Sequence, residues 1–171
     1  GGAVFGGPTI DIAASTFDGN TATSNGGAIF SDGDLTVTDS TIRASSAGIG
    51  GGIYSNGVSN LLTVTGSTFE NNIANNPANP DATDGGAIGG SGSMDVRNST
   101  FSGNTAAGGN GGGIGLVSGS ALLNNVTFAF NAASSGQGGA FHGEPGSSIS
   151  LGNSLLTDNT GNLADRTVLP Q

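Results

Sequence analysis

The 171-residue sequence predicts an all-β fold, a parallel β-helix (β-solenoid) of about six coils, and three observations predict it. A Gly-Gly-apolar step recurs at spacings of 25, 25, 34, 27 and 26 residues. Each step is followed by a short segment in which apolar and polar residues alternate, the period of a strand with one buried face. Glycine supplies 34 of the 171 residues, against roughly 7% in an average protein, which suits a chain that must bend at every coil corner.

The coils start near Gly1, Gly26, Gly51, Gly85, Gly112 and Gly138, and residues 1–171 read as a single β-solenoid domain. The alternating segments are TIDIAASTF, DLTVTDSTI, LLTVTGSTF, SMDVRNSTF, ALLNNVTF and SISLGNSLL. Aligned on their last apolar residue they give a column of Phe17, Ile42, Phe69, Phe101, Phe128 and Leu156. Three residues on stands a column of Asn20, Ser45, Asn72, Asn104, Asn131 and Asn159, and two further on one of Ala22, Ala47, Ala74, Ala106, Ala133 and Gly161. A unit of this length holds three short strands and three bends. One coil cannot bury its apolar face alone, but stacked coils can, and six make a rod of about 28 Å at the ~4.8 Å strand spacing.

Each column has a predicted task. The Phe stack (Phe17, Phe69, Phe101, Phe128) fills the wide centre of the coil, and the Ala column fits a narrow corner. Asn20, Asn72, Asn104, Asn131 and Asn159 form a structural amide ladder that satisfies turn amides otherwise buried and unpaired. Ser45 interrupts it in the second coil. Two segments leave the period. NNPANPDATD (Asn75–Asp84) is an insertion expected to project as a surface loop, and the C-terminal tail, residues 160–171, is expected to fold over the open end of the helix.

Composition excludes several function classes. The only cations are Arg43, Arg97 and Arg166, against twelve carboxylates, for a net charge of −9. Such a chain cannot lay a basic stripe along a phosphate backbone, so no nucleic-acid partner is expected. No apolar run reaches the ~20 residues of a membrane-spanning helix, so no membrane insertion is expected. The absence of Cys removes disulfides and thiolate chemistry.

GGAI (Gly26–Ile29, Gly85–Ile88) and F-x-x-N (Phe17–Asn20, Phe69–Asn72, Phe101–Asn104, Phe128–Asn131) resemble the paired motifs of polymorphic outer-membrane protein repeats. These belong to passenger domains of autotransporter-type surface proteins. The longer phrases GGAIFSDGDLTVTDSTI, MDVRNSTFSGNTAAGGNGGGI and NSLLTDNTGNL are similar to parallel β-helix repeats of large secreted bacterial proteins with choice-of-anchor C-terminal regions. The resemblance implies a right-handed β-helix, as the preference of parallel crossovers also does, and an extracellular adhesive or structural role. It brings no shared catalytic residues.

Candidate chemistry is sparse. Glycoside hydrolysis needs two carboxylates about 5–9.5 Å apart. Asp11 and Asp95 share an outward column three coils apart, roughly 14 Å. Asp95 faces the same way as Arg97 and pairs with it, while Arg43 has no aligned carboxylate cluster. The single histidine, His142, reads as a solvated turn residue beside Glu144. No metal site is assigned. Asp81 and Asp84, near Asn79, are the candidates for Ca²⁺ ligation through oxygen, without the spacing of a known Ca²⁺ loop. Thr36, Thr38, Thr63 and Thr65 make a two-by-two outward patch, best explained by β-propensity rather than ice recognition. Asn98-Ser-Thr and Asn125-Val-Thr read as glycosylation sequons.

The expected function is therefore that of a non-enzymatic, secreted or cell-surface structural solenoid without cofactor. It either stacks end to end into a filament or forms part of a surface stalk. Phe5, Leu163 and Val168 are the candidate assembly ends, since exposed strand edges template further strands. The alternative is an adhesin fragment binding a host protein or glycan through its loops, and a polysaccharide-processing enzyme ranks third.

Overall fold

In the computed structural model, residues 1–76 and 83–161 are described, and the strands among them pair in parallel with no helix. The strands stack in columns, one strand per coil. The first column holds Val4–Gly6, Ile29–Ser31, Ile53–Ser55, the opening residues of Ile88–Arg97 and of Ile114–Asn124, and Phe141–Gly143. The second holds Thr9–Ala13, Asp34–Thr38, Leu61–Thr65, the closing residues of the same two long strands, and Ser148–Gly152. The third holds Thr16–Asp18, Thr41–Arg43, Thr68–Glu70, Thr100–Ser102, Thr127–Ala129 and Leu155–Thr157.

A fourth, two-residue column adds a side that three strands per coil do not account for. Ser46–Ala47, Ile73–Ala74, Thr105–Ala106 and Ala132–Ala133 pair in series, and single bridges at Thr21 and Thr160 extend them. Three of the columns are thus six strands deep, joined by five coil-to-coil steps. Strands Ile88–Arg97 and Ile114–Asn124 run unbroken through two columns, with a register shift at Gly90/Ser91.

Inward side chains form a single apolar core along the axis. Ile29, Leu35, Val37, Ile42, Ile53, Leu62, Val64, Ile88, Val96, Ile114 and Leu123 are fully buried. Phe69, Phe101 and Phe128 stack face to face, with centroids 4.7 and 4.8 Å apart, and Phe141 closes the run edge-on to Phe128 at 5.7 Å. Phe17 is half-buried and Leu156 exposed, so the stack is fully enclosed only in its middle coils.

The corner glycines refine the repeat boundaries. Gly26, Gly50, Gly85, Gly111 and Gly138 all have φ between +62° and +77°. The third and fifth coils therefore begin at Gly50 and Gly111, one residue before Gly51 and Gly112. In each Gly-Gly pair the first glycine supplies the left-handed bend and the second supplies space. A Cβ on Gly112 would stand 2.3 Å from the Gly139 carbonyl oxygen and 2.6 Å from the backbone of Ala132. Two further left-handed corners recur along the stack. One carries Ala14, Asp39, Gly66, Asn98, Asn125 and Asn153, and the other Gly19, Ala44, Asn71, Gly103, Phe130 and Asp158.

Candidate functional site

The amide ladder is the most regular polar structure in the molecule. The Nδ2 of Asn72, Asn104 and Asn131 donates to the Oδ1 of the next rung (Asn104, Asn131 and Asn159), each at 2.9 Å. That same Oδ1 also accepts the backbone N–H of the preceding Asn at 3.0 Å. The second Nδ2 hydrogen of each reaches a carbonyl of the preceding coil: Ile42, Phe69, Phe101 and, for Asn159, Phe128. Asn72, Asn104 and Asn131 are fully buried. At the interruption, Ser45 N–H still donates to Asn72 Oδ1, while its own hydroxyl turns back to the Arg43 carbonyl. Asn20 lies in the same column one coil earlier, and its carbonyl accepts the Ser46 N–H.

A second ladder lines the other corner. The N–H groups of Ser15, Ser40 and Ser67 donate to the hydroxyls of Ser40, Ser67 and Ser99 in the next coil, and that of Val126 donates to Ser154. Each hydroxyl in turn donates to the carbonyl two residues earlier. The signal was in the sequence, as the Ser before Thr16, Thr41, Thr68, Thr100 and Leu155, but Val126 breaks the column before Thr127 and a hydroxyl column carries less weight to the eye than Asn.

Outside, the first column carries aromatic residues. Phe5, Phe30 and Tyr54 stack at 5.0 and 5.6 Å, then give way to Gly89, Gly115 and His142 at the same register. Their faces cover one another, so they present edges outward, while Phe5 is 71% exposed. Phe5 and Phe30, with Gly1, Gly2 and residues 21–25, line an open cleft of about 500 Å³. Burial raises the Tyr54 hydroxyl above its usual pKa.

Arg43 and Arg97 are each paired with a carboxylate, one across coils and one along its own strand. Arg43 meets Asp18 of the neighbouring coil at 2.9 Å, and Glu70 flanks it in the next. The expectation that Arg43 lacks an aligned carboxylate fails because these residues sit one position after the Phe column. Arg97 binds both carboxylate oxygens of Asp95, at 2.7 and 3.0 Å. Both pairs are a third to a half exposed, so Arg43→Ala and Arg97→Ala are each expected to leave the urea midpoint at physiological salt unmoved. Asp11 and Asp95 are separated by Thr36 and Thr63 in their column. The Thr patch is real, and a longer column of Thr16, Thr41, Thr68, Thr100 and Thr127 runs along the third sheet. Asn98 and Asn125 are exposed and joined by a 2.7 Å side-chain bond.

His142 is not a solvated turn residue. It lies on strand Phe141–Gly143, its side chain 17% exposed, with Nε2 3.5 Å from Glu144 Oε1. Thr83 donates a hydrogen bond to that same oxygen. The closing end of the insertion is likewise not a projecting loop: Thr83 and Asp84 are buried, and both Asp84 carboxylate oxygens lack a hydrogen-bond partner. Burial pushes the Asp84 carboxyl up to about 7. Among the described residues no three His, Cys, Asp or Glu side chains stand close enough to hold a metal ion. Asp81 and Asn79 of the suggested Ca²⁺ set, and Leu163 and Val168 of the suggested assembly ends, lie outside the described residues. No helix among the described residues is long and apolar enough to cross a membrane.

No curated protein and no solved structure matches the chain. A protein family does, over the stretches that contain Phe17–Asn20 with Gly26–Ile29, and Phe69–Asn72 with Gly85–Ile88. Residues 14–32 and 66–91 match the Chlamydia polymorphic membrane protein repeat, and the coils they form are those of a parallel β-solenoid.

Proposed function

We propose that the chain is a non-enzymatic structural solenoid of a bacterial surface protein, a stiff spacer that holds other parts of that protein away from the cell. The observation that carries this reading is the common register of the amide ladder from Asn72 to Asn159 and the Phe stack from Phe69 to Phe128, which puts the polar order of these coils into joining them. The family match supports the surface location, since its repeat is that of membrane proteins. The outward carboxylates support the non-enzymatic part. Asp95 is engaged by Arg97, and Asp11 stands three coils away from it.

Antibody raised to the folded chain is expected to label intact producing cells, and protease added outside them to remove the label. Labelling only after permeabilisation would sink the surface reading. Sedimentation of the purified chain separates a spacer from a self-stacking unit: a single slow species supports the spacer, and fibres support end-to-end stacking.

A second reading, an adhesive face for a host protein or glycan, is favoured by the Phe5–Phe30–Tyr54 column and the cleft beside it. Under it, Phe5→Ala with Phe30→Ala abolishes capture of the chain by host cells while its far-UV spectrum stays unchanged. Unaltered capture would remove the aromatic column from consideration.

A further inference from the structure

The insertion returns to the solenoid at Thr83 and Asp84, and the return is anchored at several points. Thr83 bridges in parallel to Asn110. Its methyl group sits over Gly115, where an added Cβ would come within 3.0 Å of it. Its hydroxyl donates to Glu144 Oε1, sixty-one residues away. Glu144 is itself held in place: its N–H donates to the Leu116 carbonyl at 2.9 Å, and its carbonyl accepts Ser147 N–H and Oγ–H. His142 Nε2 lies 3.5 Å from the same carboxylate. Asp84 is pinned through its backbone, N–H to Asn110 O at 3.1 Å and carbonyl from Gly50 N–H at 2.7 Å, with its carboxyl group enclosed and unpartnered.

The residues that precede the corner glycine in the other coils are Asn25, Ile49, Asn110 and Gln137. Asp84 is the one member of that set that can acquire a charge. An enclosed carboxylate with no donor is costly, whereas the neutral acid is tolerated.

We propose that Thr83, Asp84, His142 and Glu144 form an acid-tightened clasp that fastens the return end of the insertion to the last coils and loosens as the medium turns alkaline. His142 Nε2 stands 3.5 Å from Glu144 Oε1, the oxygen that receives the Thr83 hydroxyl, so the strand side of the clasp is held by geometry, and the pH dependence comes from Asp84. Asp84 is neutral in acid and ionises in place as the pH rises through about 7. Burial alone displaces its titration, with no charged side chain contributing. The charged groups of the clasp are therefore His142 and Glu144 on the strand side and Asp84 on the insertion side.

The sign follows from linkage. The folded-state pKa of Asp84 lies above its ordinary value of 3.8, so the folded chain binds this proton more tightly than the unfolded chain. The stability it contributes is fully present below about pH 4 and is lost as the pH rises through about 7.

Hydrogen exchange on the full chain tests the clasp. The amides of Asp84–Gly86 and His142–Glu144, corrected for intrinsic rates, are expected to lose at least tenfold protection between pH 5.5 and 8.5. In Asp84→Asn that loss shrinks several-fold, and Thr83→Val lowers protection at both pH values. Equal protection at the two pH values in the parent chain overturns the proposal, as does a loss that survives unchanged in Asp84→Asn. A ¹³C titration of the Asp84 carboxyl gives a second readout that does not depend on either variant folding: a midpoint near 7 upholds the clasp and one near 4 ends it.

Discussion

Asn104→Ala is expected to destabilise the folded chain by about 3–5 kcal/mol, read as a fall in the urea midpoint, because it strands buried partners on both sides. The Asn104 side chain makes four bonds: it accepts from Asn72 N–H and Nδ2, and donates to Phe69 O and Asn131 Oδ1. Truncation leaves an N–H, an amide hydrogen and a carbonyl without partners in a site closed to water, and each such group costs about 1–3 kcal/mol. Asn104→Asp is expected to be worse at neutral pH than at acid pH. It keeps the acceptor that faces Asn72 but turns a second oxygen toward Phe69 O and Asn131 Oδ1, which only a protonated carboxyl can satisfy. If both variants melt like the parent, the ladder contributes nothing to stability and the account of the buried Asn column is wrong.

Phe101→Ala is the second large effect, about 3–5 kcal/mol. Phe101 is fully buried and stacks on Phe69 at 4.7 Å and Phe128 at 4.8 Å, so truncation opens a cavity and removes two ring contacts. Phe101→Ile should cost much less, because Ile42 already occupies this column one coil before Phe69. Equal costs for Ala and Ile would mean that the lost ring contacts rather than the lost volume set the cost. The pair thus separates loss of volume from loss of aromatic stacking.

Much of this architecture was legible in the sequence, for a reason specific to solenoids. Ile42 and Phe69, like Phe101 and Phe128, stand 27 residues apart and fall in one column because the intervening bends keep their length, so a repeated spacing is itself a statement about neighbours in space. The Asn column follows from the same register. What escaped did so for equally local reasons. In the runs Gly50–Gly52 and Gly111–Gly113 two Gly-Gly windows are available, and the sequence does not say which glycine bends. The structure shows that the third takes the place of Ala28 and Ala87. Arg43 and its partner Asp18 both stand one position after the Phe column, outside the three columns that the sequence alignment set out. The candidate sites were harder to see. Thr83 and Asp84 look like the end of a polar loop, and the contacts that hold them in come from residues far off in the sequence, Gly115 and Glu144 for Thr83 and Gly50 and Asn110 for Asp84. The aromatic column was hidden because it ends at two glycines before His142, so no single spacing ran through all six coils.

The amide ladder also gives the rod a direction. From Asn72 to Asn131 each side-chain amide donates one Nδ2 hydrogen to the Oδ1 of the later rung, and every Oδ1 acceptor from Asn104 to Asn159 faces the earlier one. The dipoles add head to tail, each bond polarising the next. A coil inserted upside down would set oxygen against oxygen at one face and NH₂ against NH₂ at the other. Whole coils in the native sense can be gained or lost with the chain of donors intact, so such a molecule can change its length without ever changing its polarity.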